Sequence, residues 1–228
     1  MKKSAALVLV CKRPKLGFGK QRLAASLGLE MTQRVAEALL DCALEDLQSW
    51  EGSVVIAPSS QDDTEWAMSL MRQPNIGVRP RMPGNLGQRL NTLDFELRSK
   101  GLKRLIYIGS DSPGLVEANY AAVCDAMQHH DAVLMPASDG GVVLMANEHP
   151  WPSLAGLPWS SGQLGIALAE CCRDEGQSVA ILDEGFDIDE LGDLVKLIEV
   201  LADDSRPARH ALRLLANDII SAMGVNHV

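Results

Sequence analysis

The chain has 228 residues, of which 46% are hydrophobic and 22% charged, and this composition excludes a disordered protein, a collagen and a small disulfide-rich protein. Its 30 acidic and 21 basic residues give a net charge of −9, which disfavours a partner made of nucleic acid. The length favours one domain over two. No stretch approaches the roughly 20 apolar residues of a membrane span, and five cysteines without a CxxC spacing are typical of a reducing compartment, so the sequence predicts a cytoplasmic protein.

Short apolar runs alternate with longer amphipathic stretches along the chain. The runs predict strands at residues 5–11, 53–57, 104–109, 131–136, 142–146 and 178–182. Helical periodicity follows Val35, Leu39 and Cys42 and continues over residues 86–97, 116–127, 163–172 and 191–201. This alternation is typical of an α/β fold in which helices cover both faces of a mostly parallel sheet. The core is predicted to occupy residues from about 4 to 202, and a final packing helix residues from about 206 to 222.

Polar stretches that contain proline and glycine lie where the predicted strands end. They occupy residues 14–19, 58–63, 74–87, 111–114, 137–141 and 148–162. Ligands of open α/β sheets bind beyond the carboxyl ends of the strands. The candidate site residues are therefore sought in these loops.

The loop after the first predicted strand concentrates positive charge in an acidic protein. Its basic residues, with no acid before Glu30, are Lys12, Arg13, Lys15, Lys20 and Arg22. Gly17 and Gly19 allow close backbone approach, and a helix N-terminus after them would add N–H donors, which together suit a phosphate group. The loop matches neither the Walker A pattern nor the dinucleotide fingerprint. The residues alone fit a phosphate site and a solvated basic loop equally well.

Asp111 comes directly after the predicted strand 104–109, in the segment GSDSPGL. A carboxylate at the carboxyl end of a strand is well placed to bind Mg²⁺. Asp also commonly caps helices, and the predicted helix here begins near Val116. Taken alone, these residues slightly favour the cap.

Two further acidic motifs lie later in the chain. Asp187 and Asp189 alternate across Ile188, so an extended backbone would place both carboxylates on one face, where they repel unless a cation or protons intervene. Acids also suit the first turn of a helix, and that alternative is as strong. Asp139 precedes two glycines between predicted strands, a pattern that favours a hairpin turn over a chemical role.

Several motifs together resemble a known family. They are K-x-P-x-x-G-x-x-K-x-R-L at 12–23, GNLGQR at 84–89, GSDSPGL at 109–115, PASDGG at 136–141, PWS at 158–160, DID at 187–189 and DL at 193–194. In this order they resemble the DUF2064 family of the GT-A, nucleotide-diphospho-sugar transferase superfamily. The chain departs from the family pattern at residues 142–146 and at Glu190. The resemblance implies one three-layer Rossmann-like GT-A domain over residues 1–228, a nucleotide-sugar or nucleoside-triphosphate ligand, and Mg²⁺ or Mn²⁺.

The resemblance also assigns roles to the motif residues. Asp111 is expected to ligate the cation, with Asp189 and then Asp187 as further ligands. The phosphate oxygens are expected to contact the first loop and one later arginine, through Lys12, Gly17, Lys20, Arg22 and Arg89. Asp139 is expected to accept a hydrogen bond or a proton from the acceptor hydroxyl.

The expected function is transfer of a sugar from a nucleotide-sugar donor to a small-molecule acceptor. The alternative is a nucleotidyltransferase that uses a nucleoside triphosphate and releases pyrophosphate, and the five bases of the first loop suit a triphosphate. A third hypothesis is a binding protein without catalysis, in which the acids only cap helices.

Overall fold

The computed structural model describes residues 5–71, 76–79 and 84–224. Within these ranges one sheet contains β1 (Ala6–Cys11), β2 (Val54–Pro58), β3 (Ile76–Val78), β4 (Leu105–Ile108), β5 (Ala132–Pro136), β6 (Val142–Asn147) and β7 (Val179–Ile181). The strand order is β3-β2-β1-β4-β6-β5-β7, and β6 runs antiparallel to both of its neighbours while the other pairs are parallel. The predicted α/β class with a mostly parallel sheet is confirmed.

Helices cover both faces of this sheet. They are α1 (Gln21–Leu27), α2 (Leu29–Ser49), α3 (Thr64–Leu70), α4 (Leu86–Ser99), α5 (Glu117–Ala126), α6 (Leu164–Asp174), α7 (Leu191–Val200) and α8 (Pro207–Ala222). One face packs against α2, α3 and α5, and the other against α4 and α6. A third apolar cluster joins the outer side of α2 to α1, α7 and α8. No helix in the described ranges is both long and apolar enough to cross a bilayer.

The first strand shows why the central strands are continuous apolar runs. Leu7 and Leu9 point into the core beneath α2, whereas Ala6 and Val8 point into the core beneath α4 and α6. All four side chains are buried. A parallel strand covered on both faces loses the polar alternation of a half-exposed strand, and the short run at residues 5–11 therefore predicts it correctly.

Three elements have no counterpart among the predicted ones. β3 lies within residues 74–87, where the sequence predicts a loop, because this edge strand has only three residues, with Gly77 in the middle. α3 begins directly after a short 3-10 turn, Gln61–Asp63, and α1 begins inside the predicted first loop. Helices α1 and α3 each have seven residues and bury one side chain, too few to produce a clear apolar period.

The predicted C-terminal packing helix is confirmed as α8. Its Arg209 is fully buried and pairs with Asp46 of α2 at 2.7 Å, while also donating to the carbonyl of Pro113 at 3.3 Å. Arg206 pairs with the same Asp46 at 3.0 Å and donates to the Leu115 carbonyl at 2.9 Å. Helix α8 is thereby tied to the loop that follows β4.

Candidate active site

Five chain segments open onto a single cleft of about 450 Å³. They are the loops that follow β1 and β4, the β5–β6 turn, the segment between β6 and α6, and the segment between β7 and α7. The cleft lies beyond the carboxyl ends of the parallel strands β1 and β4, where α/β sheets bind ligands. Among the predicted site residues, the cleft lining includes Lys12, Lys20, Arg22, Asp111, Asp139, Asp187 and Asp189, but neither Gly17 nor Arg89.

The first loop has an unusual backbone. Residues 15–18 form a tight turn in which the Phe18 N–H donates to the Lys15 carbonyl at 3.0 Å. Gly17 and Gly19 both adopt a φ of 75°, which a residue with a Cβ rarely adopts. Lys20 is also left-handed, with φ 48° and ψ 42°, at a cost of about 1–3 kcal/mol for a residue other than glycine.

Four of the five bases of this loop lie beside acidic side chains. Lys15 pairs with the buried Asp63 at 2.8 Å, and Arg13 lies 3.9 Å from the same carboxylate. Arg22 lies 3.5 Å from Glu190, and both side chains are exposed. Sequence reasoning missed Asp63 because it lies 48 residues from Lys15 in the chain. Two of the five bases therefore anchor the loop to the 3-10 turn after β2.

Lys20 is the innermost base of the cleft. Its ammonium lies 2.8 Å from Asp189 Oδ1 and 3.3 Å from Asp111 Oδ2, and its side chain is 13% exposed. Burial by itself would lower the pKa of this lysine, but the charges and hydrogen bonds of the two carboxylates outweigh it, and the net pKa shift is upward. Lys20 therefore stays charged and links the loop after β4 to the segment before α7.

Asp111 is not a helix cap. Helix α5 has Val116 as its N-cap, and the Val116 N–H donates to the side chain of Asn119 at 2.9 Å. The carboxylate of Asp111 binds Lys20, while its backbone carbonyl accepts the Ile188 N–H at 2.9 Å. That backbone bond holds the loop of Asp111 beside the segment that carries Asp187 and Asp189.

Asp189 does not cap α7 either. Glu190 is the N-cap of α7, and Asp193 at the N3 position accepts the N–H groups of Asp189 at 2.9 Å and of Glu190 at 2.7 Å with one carboxylate oxygen. Ile188 is fully buried, as expected for the residue between two acids that share the opposite face. The side chain of Asp189 thus remains available to the cleft.

Carboxylate oxygens of Asp139, Asp187 and Asp189 lie within 4.8 Å of one another. The pKa of Asp187 rises to about 6, first because the group is partly buried and then because of the charges of Asp111, Asp139 and Asp189, with Lys20 acting in the opposite direction. A negative charge that is this costly to form favours an added cation. The oxygen donors of three carboxylates suit a hard divalent ion.

The turn that contains Asp139 joins β5 to β6, so the predicted hairpin is confirmed. Asp139 Oδ1 accepts the N–H of Gly141 at 2.8 Å, which fixes the orientation of the carboxylate. Asp139 is exposed, whereas Asp187 and Asp189 are half-buried. The same residue therefore shapes the turn and places a charge at the mouth of the acidic group.

A family sequence model described as "Uncharacterized protein conserved in bacteria (DUF2064)" matches residues 29–161. The chain belongs to this family. The matched range includes Asp111 and Asp139, while Lys20, Asp187 and Asp189 lie outside it. A search of curated protein sequences gives no match.

Solved structures of three other proteins share the fold of this DUF2064 protein. A "putative nucleotide-diphospho-sugar transferase" from Desulfovibrio desulfuricans G20 superposes with a TM-score of 0.84 at 22% identity, over 96% of this chain and 98% of that one. A cytidylyltransferase from Leptospira borgpetersenii gives 0.57 at 9% identity, over 99% and 98%. A 4-diphosphocytidyl-2C-methyl-D-erythritol synthase from Anaerococcus prevotii gives 0.53 at 12%, over 84% and 94%.

Two motif glycines of the DUF2064 protein are required by packing around the cleft. A Cβ on Gly87 of α4 would lie 1.9 Å from the Leu154 carbonyl oxygen, and one on Gly140 would lie 2.0 Å from the Gly162 carbonyl oxygen. Both contacts hold the segment that carries the PWS motif. This segment supplies Trp159, Ser160 and Ser161 to the cleft lining. Sequence reasoning assigned no role to these three residues; the PWS motif is the signal for Trp159 and Ser160, whereas Ser161 lies just outside it.

Proposed function

We propose that this protein is a metal-assisted nucleotide-diphospho-sugar transferase that moves a sugar from a nucleotide-sugar donor to a small-molecule acceptor. The observation that carries the proposal is the convergence of Lys20 with four carboxylates in one cleft at the carboxyl edge of the sheet. The fold, shared with a structure described as a transferase of this kind, supports it.

The basic side of the cleft suits a diphosphate. Lys12 and Arg22 line the cleft with exposed side chains, and Lys20 lies deeper. We assign phosphate oxygens to these three, with the planar guanidinium of Arg22 suited to two oxygens at once. Lys15 pairs with Asp63 and Arg13 lies 3.9 Å from the same carboxylate, so Lys12, Lys20 and Arg22 are the bases that we assign to a diphosphate.

The acidic side of the cleft suits Mg²⁺ or Mn²⁺. Asp187 and Asp189 would hold the ion as half-buried carboxylates beside the phosphate loop. When bound, the ion would offset the negative charge that develops on the leaving diphosphate. Asp187 is ionised at neutral pH, because its pKa of about 6 lies below it.

In the proposed reaction, the bond between the sugar's anomeric carbon and the diphosphate oxygen breaks, and a bond to the acceptor's hydroxyl oxygen forms. The hydroxyl proton must leave, and we assign it to Asp139. This carboxylate is the exposed member of the acidic group, so an acceptor that enters from solvent meets it first. The nucleoside diphosphate leaves with the electron pair of the broken bond.

Nucleotidyl transfer is the second candidate, because cytidylyltransferases share the fold. The two reactions differ in the released product. Incubation with Mn²⁺ and a panel of nucleotide sugars should release nucleoside diphosphate, whereas nucleoside triphosphates with sugar 1-phosphates should release pyrophosphate only if the second candidate is correct. Chromatography of nucleotides and an enzymatic pyrophosphate assay distinguish the two.

Matched variants connect the result to the site. Asp189→Asn should abolish product release, while Asp183→Asn, an exposed acid of the same segment outside the cleft lining, should leave it unchanged. Thermal shift gives a second readout, since a ligand at 100 times its dissociation constant stabilises the fold by about 2.7 kcal/mol. The proposal is contradicted if pyrophosphate is the sole product, or if Asp189→Asn and Asp183→Asn reduce product release equally.

A further inference from the structure

We infer that Lys20 is a built-in counter-cation that competes with the divalent ion for Asp111 and Asp189, and that a nucleoside diphosphate relieves this competition by drawing the Lys20 ammonium onto its phosphates. The inference rests on the proposed function, which places the ion and the diphosphate in the same cleft. It adds a regulatory role for Lys20, namely coupling between the two ligands.

The Lys20 ammonium occupies carboxylate oxygens that a divalent ion would also bind. Lys20 Nζ contacts Asp189 at 2.8 Å and Asp111 at 3.3 Å, so two of its three N–H donors are directed at carboxylates. Both acids are 41% exposed, whereas the lysine is 13% exposed. A divalent ion bound to the same oxygens would lie next to the ammonium, and the two positive charges would repel. The two cations are therefore competitors for these oxygens.

The acids keep their places without the lysine. The Asp111 carbonyl accepts the Ile188 N–H at 2.9 Å, and the Asp189 N–H donates to Asp193 at 2.9 Å. The backbone bond between Ile188 and Asp111 thus holds the loop after β4 beside the segment before α7, and the Asp193 side chain fixes the backbone of Asp189 within that segment. Departure of Lys20 would leave Asp111 without its cationic partner, beside the group of Asp139, Asp187 and Asp189, whose carboxylate oxygens lie within 4.8 Å of one another.

The Lys20 side chain can move to a second anionic partner while its loop stays in place. The rest of its loop is held by the Lys15–Asp63 pair at 2.8 Å and by the turn at Phe18, so a change can be confined to the Lys20 side chain. A lysine has a flexible four-carbon stem and a compact charge, which suits movement between two anionic partners better than the rigid arginine fork. Diphosphate oxygens held by Lys12 and Arg22 would provide the second anionic partner.

This arrangement links the two ligands. Without nucleotide, the divalent ion must displace Lys20 and binds weakly. With a diphosphate in the cleft, Lys20 is engaged elsewhere, and Asp111 becomes available as a ligand. By linkage, the ion strengthens nucleotide binding by the same factor.

Lys20→Met tests the inference, because methionine keeps an unbranched apolar stem and removes the charge. Arg22→Met is the matched control, since it removes one charge from the same loop at a residue that pairs with Glu190 instead. Isothermal calorimetry with Mn²⁺ alone should show about tenfold tighter binding to Lys20→Met than to wild type, within the usual range of coupling between sites, and much less change in Arg22→Met. Lys20→Gln provides a second variant, and thermal melts check that each is folded.

Titration with Mn²⁺ in saturating UDP, GDP or CDP gives the second readout. The diphosphate should raise Mn²⁺ affinity more in wild type than in Lys20→Met, because only wild type has the competition to relieve. Unchanged or weaker Mn²⁺ binding by both Lys20 variants overturns the inference, as does an equal gain in Arg22→Met. If wild type, Lys20→Met and Asp189→Asn all fail to bind Mn²⁺ even with a diphosphate, the proposed cation site is wrong and the inference falls with it.

Discussion

At the scale of single residues, Asp187 should make cation binding depend on pH. The pKa of Asp187 is about 6, above the ordinary value of 3.8, mainly through burial and then through its neighbouring carboxylates. A divalent ion needs the ionised form, so protons compete with it as the pH falls through this pKa. We expect Mn²⁺ affinity to be nearly constant from pH 8 to 7 and to fall steeply below about pH 6, as measured by calorimetry. Equal affinity at pH 5 and pH 7 would contradict the assignment.

Asp187 and Asp189 should also affect stability in opposite directions without metal. The folded-state pKa of Asp187 is raised, so its ionised form destabilises the fold. Asp187→Asn should therefore increase the free energy of unfolding at pH 7 by about 1 kcal/mol. This is less than the full pKa shift implies, because solvent screens a half-buried group. Asp189→Asn removes a charged partner of Lys20, whose side chain is 13% exposed, and should decrease the free energy of unfolding. Urea denaturation in chelator measures both, and changes of the same sign would refute this division of roles.

At the scale of elements, the sequence predicts what local pattern encodes. Six strands appear as apolar runs because most of them lose solvent on both faces, and the amphipathic helices appear through their period. The edge strand β3 and the seven-residue helices lack such a pattern. Asp111 and Asp189 could not be separated from helix caps, because the separating fact is an ion pair with Lys20 across 91 and 169 residues of chain. The side chains that bind the N-cap N–H groups of α5 and α7 belong instead to Asn119 and Asp193, at the N3 position of each helix.

Two helical glycines should respond oppositely to the same substitution. In Gly87→Ala the new Cβ would lie 1.9 Å from the Leu154 backbone oxygen, so α4 must move away from the segment that carries Trp159, at a cost of about 1–3 kcal/mol. Gly192 lies in α7 with no atom within 4 Å of an added Cβ, so Gly192→Ala should stabilise the fold by roughly 0.5–1 kcal/mol. The midpoints of urea denaturation measure both effects. A Gly87→Ala variant as stable as wild type would show that α4 accommodates the added Cβ beside the Leu154 backbone oxygen.

At the scale of the whole molecule, a buried charge network connects the C-terminal helix to the cleft. Arg209 pairs with Asp46 at 2.7 Å and with Glu45 at 2.9 Å. Tyr120 donates to the same Asp46 at 2.9 Å, so the network joins α2, α5 and α8. Burial raises the pKa of Asp46, although Arg209 and Arg206 oppose that rise. Because Arg209 also donates to the Pro113 carbonyl, the network supports the loop that carries Asp111.

Replacing Arg209 should therefore affect both stability and the site. Arg209→Met leaves Asp46 buried with fewer cationic partners, and breaking a buried pair in this way costs about 3–5 kcal/mol. The loop after β4 loses a support at Pro113, so we also expect weaker Mn²⁺ binding in the variant under conditions where it is folded. Arg213→Met on the same helix is the control, because the Arg213 guanidinium donates to the Ala202 carbonyl at 2.9 Å, and this substitution should cost less than about 1 kcal/mol. Urea denaturation and Mn²⁺ calorimetry measure the two effects. If Arg209→Met is destabilised yet binds Mn²⁺ as wild type does, α8 stabilises the fold without positioning Asp111.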